Sequence, residues 1–95
     1  MAPYATIMIE KHALPSVQES IAIGKHVLER KLAAYTSRLT QFEQTRKMDT
    51  LTFLRLFEHG ELEDHKEWIE WEHLANVVTL LQKKIRDLEA VKYES

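Results

Sequence analysis

Ninety-five residues allow one small domain, and a chain of that size buries only a limited core unless it dimerises or docks on a partner. Two Gly, two Pro and no Cys, with 44% apolar and 29% charged residues, point to an all-α protein and exclude disulfides, thiolate catalysis and cysteine zinc sites. The net charge of −2 is uneven: residues 1–47 hold seven Lys/Arg against four Glu (+3) and residues 48–95 six against eleven Asp/Glu (−5), which favours packing one arm of the chain on the other, or on a second copy, over a uniformly basic nucleic-acid surface.

Residues 1–15 read as an extended N-terminal arm. They lack the basic start and apolar middle of a signal peptide, and no apolar run is long enough to span a membrane, so the expected location is the cytoplasm. Tyr4 to Glu10 is rich in β-branched residues, with Ile7 and Ile9 on one side of a strand. Nothing later reads as a strand. The arm therefore pairs with its equivalent in a second copy, adds to a partner's sheet edge, or lies extended over the helices.

The rest, residues 16–95, reads as a helical hairpin domain with helices at about 16–47, 50–58 and 65–92. The first starts at Ser16, where Ser16-x-x-Glu19 is a capping box, with Pro15 closing the linker before it. Ile21, Leu28, Leu32, Tyr35, Leu39 and Phe42 follow a 4-3 alternation that puts them on one seam, with Lys25 and Arg46 at its ends. Gly24 is either a close approach of another backbone or a tolerated glycine in an end turn. Asp49 is the expected N-cap of the short second helix, and Met48 before it and Phe53 within it have the spacing of a hydrophobic staple. Gly60 suits the left-handed position that ends a helix, and Asp64-x-x-Glu67 is a second capping box. Trp71, Leu74, Val78, Leu81, Ile85 and Leu88 form the seam of the third helix; Trp68, Val77, Leu80 and Val91 widen its apolar surface.

Two long helices joined by a short connector make an antiparallel hairpin, with Phe42 near Trp68 and Trp71, and Ile21 near Ile85 and Leu88. The surplus apolar residues then call for dimerisation into a four-helix bundle or capture of another protein. Ile7, Ile9, Trp68, Trp71, Val77 and Leu80 are the candidate contact residues for a partner or a second copy.

Catalysis is not expected. No phosphate-binding loop, HExxH or GxSxG motif occurs, and no catalytic triad can be argued. Glu70-x-x-His73 has the spacing used by di-iron bundles, but in this register both residues face outward, and His59, His65 and His73 lack the i, i+4 spacing of helical ligands. No metal or cofactor is therefore assigned. A DNA-binding alternative rests on the strand-then-helix order of ribbon-helix-helix repressors, with Lys11, Lys25, Arg30, Lys31 and Arg38 as phosphate contacts; a continuous first helix argues against it.

The central pattern carried by Phe42, Glu43, Met48, Phe53, Phe57, Gly60, Leu62, Asp64, Trp68, Glu70 and Trp71 resembles small prokaryotic, often archaeal, helical proteins, some of them antitoxin-like members of two-gene modules. The resemblance implies a hairpin fold and a non-enzymatic, partner-binding role in which the N-terminal arm pairs subunits or reaches the partner.

Overall fold

A computed structural model describes residues 3–93; positions 1–2 of the arm and 94–95 of the hairpin domain lie outside it. Three α-helices follow in order: α1 (Leu14–Arg46), α2 (Thr50–Glu58) and α3 (Lys66–Glu89), with a single 3-10 turn at Lys11–Ala13 before them. The long helices α1 and α3 pack antiparallel with α2 between them in the chain, and no strand occurs among the described residues. Tyr4 to Glu10 is instead an extended arm.

Both predicted seams form the interface. Trp71, Leu74, Val78, Leu81 and Ile85 are buried, joined by Ala75, while Leu88 is half-buried. Opposite them Ile21, Leu28, Leu32, Tyr35, Leu39 and Phe42 are all half-buried, and no residue of α1 is fully buried. The difference is geometric. α3 is covered by α1 and, near the elbow, by the aromatic side of α2, whereas α1 meets α2 only where Glu43 bonds Thr50 at its end. Lys25 and Arg46 end in cross-helix ion pairs, Lys25 with Glu89 at 3.2 Å and Arg46 with Glu67, so their methylenes cover the seam while their charges are partnered across it.

The helix ends correct three expectations. α1 begins at Leu14, not Ser16, because Pro15 fits the first turn, where it has no N–H to lose; no side chain caps that end. α3 is capped by His65, whose Nδ1 accepts from the Glu67 N–H at 3.1 Å, in place of the Asp64 capping box. With the cap one residue later, the Glu67 carboxylate turns to Arg46 rather than back to the cap. The helix also stops at Glu89, short of Lys92. Gly24 shows no close approach, since a Cβ there would meet nothing within 4 Å.

Other signals hold. Asp49 caps α2 by accepting from the Thr52 N–H at 2.7 Å, and Phe53 is fully buried. Gly60 has φ 67°, with Glu61 N–H donating to Leu56 C=O and Gly60 N–H to Phe57 C=O, the two bonds of a Schellman ending. α1 ends in the same way, with Met48 N–H donating to Glu43 C=O, but there Lys47 takes the left-handed position at φ 54°. A lysine costs about 1 kcal/mol more than glycine in that conformation.

Candidate functional site

The elbow between α1 and α3 concentrates aromatic and acidic groups and looks at first like a site. Trp71 lies between two rings: Phe53 stacks on it with centroids 4.0 Å apart, and Phe42 at 5.4 Å. Its indole N–H donates to Thr50 Oγ1 at 3.1 Å, and Thr50 donates in turn, through its hydroxyl at 3.0 Å and its backbone N–H at 2.8 Å, to the Glu43 carboxylate. The relay joins one side chain from each helix and so ties α1, α2 and α3 together. Trp71 is fully buried and presents no surface to a partner. Its apolar neighbours in sequence signal a core position as well as an interface one, and only packing separates the two. Trp68 is half-buried, with its ring near Phe53 and His65 and under the Arg46 guanidinium at 4.9 Å.

Two carboxyls at the elbow titrate low. The Thr52 backbone N–H, followed by the Thr52 hydroxyl, holds Asp49 below its ordinary value; the hydrogen bond from Arg46 does the same for Glu67. A lowered folded-state pKa gives stability that is present above the ordinary carboxylate range, about pH 4, and is lost as pH falls through the lowered values. Thermal melts should therefore show a fall in midpoint on the acid side. The Asp49→Asn and Glu67→Gln double variant should melt lower at neutral pH and show a shallower fall. An unchanged slope would remove both groups from the acid response.

The histidines serve structure or solvent. His59 Nδ1 lies 2.6 Å from Arg55 C=O, His65 is the α3 cap, and His73 is exposed. Glu70 pairs with Arg38, as its flanking position requires. Among the described residues no group of three His, Asp or Glu is placed to hold a metal ion, and no helix is long and apolar enough to cross a membrane.

The remaining candidates lie on the outer surface. The Arg38–Glu70 pair fixes which flanks of α1 and α3 look the same way. By helical spacing Arg38 shares its flank with Ile23, Val27, Lys31 and Ala34, and Glu70 shares its own with Val77, Lys84 and Leu88. α2 sits on the opposite side, where Thr50 meets Glu43 and Phe53 meets Trp68. One broad face of the hairpin is therefore uncovered. Ile23 is 56% exposed, Val27 45% and Leu80, at the edge of the α3 row, 49%; Val77 is half-buried.

A second apolar region lies at the open end, where α1 starts and α3 stops. There the arm, from Pro3 to Ile9, borders a crevice with Leu14, Val17 and Ile21 of α1 and with Val91 and Tyr93 beyond α3. Ile7 is 84% exposed, Met8 92% and Ile9 43%, so the arm's apolar side chains have little cover in a single chain. Ile21 and Leu88 line one shallow groove nearby, in keeping with the predicted register. Thus Ile7 and Ile9 sit on one surface, Val77 and Leu80 on another, and the two tryptophans belong to the elbow.

The five predicted phosphate-binding cations separate likewise. Lys25 and Arg38 are tied up in cross-helix pairs, while Lys11 at the 3-10 turn and Arg30 and Lys31 on α1 are exposed and outside the ion pairs of the described residues. Sequence reasoning missed Thr50 and Glu43 as partners and the gathering of cations on one flank; a helical wheel drawn with charges rather than apolar residues carries the second signal. Comparison with family models, with curated proteins and with solved structures returns no match, so the residues themselves carry the functional reading.

Proposed function

We propose that this chain is a non-catalytic protein–protein interaction module, antitoxin-like in acting by occupying a partner, and that it self-associates. The observation that carries this reading is the exposed apolar surface of the hairpin's outer flank and of its N-terminal arm. A small domain rarely leaves such rows bare unless something covers them. Self-association uses the open end, where the arms carrying Ile7 and Ile9 from two copies cross and cover one another, bringing four long helices into one assembly. The uncovered flank with Val77 and Leu80 then takes a different protein.

Sedimentation equilibrium tests the first half. The expected mass is at least two chains, and Ile7→Asp with Ile9→Asp should return a monomer with unchanged far-UV circular dichroism. A monomer for the unaltered chain at every concentration removes self-association from the reading. Duplex DNA binding is the second reading, supported by the exposed Arg30 and Lys31 on α1 and by Lys66 and Lys84 on α3. A salt-sensitive gel shift at low ionic strength would favour it.

A further inference from the structure

The uncovered flank differs from the rest of the surface in charge as well as in polarity. Lys31, Lys66 and Lys84 lie on its two rows, all exposed and none in an ion pair among the described residues. Among the described residues the carboxylates on or in line with those rows are already held, Glu70 by Arg38 and Asp87, in line with Leu80, by Lys83. The apolar residues Ile23, Val27, Ala34, Val77 and Leu80 run between these cations. A chain with a net charge of −2 therefore turns one apolar face lined with cations to solvent.

We propose that this face binds an acidic amphipathic helix of another protein, a deepening that rests on the protein-binding function proposed above. Packed helices stand about 8–10 Å apart, so two adjacent rows leave a groove into which a third helix fits. Its apolar stripe, at i, i+3, i+4 and i+7, meets Val27, Ala34, Val77 and Leu80, and the small Ala34 lets its backbone come close. Glutamates flanking that stripe meet Lys31, Lys66 and Lys84. A second copy of this chain fits poorly, because two such faces would oppose cation to cation. Phosphodiester backbones match the charges but leave the apolar rows without a partner.

The test uses a labelled synthetic peptide of about 23 residues, enough to span the ~33 Å from Lys66 to Leu88, with leucine at the stripe positions and glutamate beside them. Three competitors accompany it: the same composition scrambled, a version with lysine for glutamate, and a mixed-sequence DNA duplex. Vesicles with half anionic lipid form a separate arm. Expected are saturable binding of the acidic peptide, weakening with salt, and a loss of about a hundredfold in affinity in Lys31→Glu with Lys84→Glu. Leu80→Gln should weaken binding by roughly tenfold, and Leu51→Gln, exposed on α2 at the opposite side of the hairpin, should leave it unchanged. Circular dichroism confirms that each variant folds, and sedimentation of the same samples reports self-association independently. No saturable binding, equal binding of the scrambled peptide, or tighter binding to DNA or vesicles overturns the proposal; loss of self-association with peptide binding intact overturns only the arm-mediated assembly.

Discussion

Replacing Trp71 with alanine should remove about 3–5 kcal/mol of stability, as deleting a large buried aromatic does. Small domains hold about 5–15 kcal/mol in total, so the variant should be largely unfolded in modest urea. Three losses coincide at this position. The ring is fully buried, it separates Phe42 from Phe53, and its indole N–H is one of two groups engaging Thr50 Oγ1. Trp68→Ala is the internal control: that ring is half-buried and should cost roughly half as much. Urea titrations followed by circular dichroism give both values. Equal midpoints for the two variants would mean that the buried stack contributes nothing beyond its half-buried neighbour.

Glu43→Ala should cost about 2–3 kcal/mol, more than an ordinary surface carboxylate. The Glu43 side chain accepts from both the backbone N–H and the hydroxyl of Thr50, so it satisfies the first orphan donor of α2 from a different helix. Its removal leaves that N–H and the Thr50 hydroxyl short of an acceptor in a half-buried place. Glu43→Gln keeps one carbonyl oxygen and should recover part of the loss, whereas Asp49→Ala, which removes the local cap on Thr52, should cost about 1 kcal/mol. The decisive comparison is Glu43→Ala against Asp49→Ala. If the local cap costs more, the connection across the turn is not what secures α2.

The hairpin was legible because its determinants are local or periodic. The 4-3 spacing from Ile21 to Phe42 and from Trp71 to Leu88 specifies two facing stripes whatever the neighbours do, and Gly60 specifies its own turn. The relay from Glu43 through Thr50 to Trp71 was not legible, because it joins residues on three helices and no spacing rule connects them. The cap of α3 falls outside the pattern for a related reason: Asp64 and His65 are both able to accept from the first turn, and Glu67, the second member of the expected box, is held by Arg46 from another helix. Counting charge along the chain also hid the basic flank. The acidic second half keeps Glu61, Glu63 and Asp64 in the connector and Glu72 on another side of α3, so Lys66 and Lys84 stand without them on the open face.

The cross-helix pairs also order the way the chain closes. Arg46–Glu67 and Arg38–Glu70 join residues 21 and 32 apart, while Lys25–Glu89 joins residues 64 apart (89 − 25). Closing the longest of these loops first would cost about 1 kcal/mol more in chain entropy than closing the shortest, so the helices zip from the elbow outward. The aromatic elbow is then part of the folding nucleus, and alanine at Trp71 slows folding, whereas disruption at Lys25 mainly speeds unfolding. The end of the hairpin that carries the arm is then the last to close and the first to open.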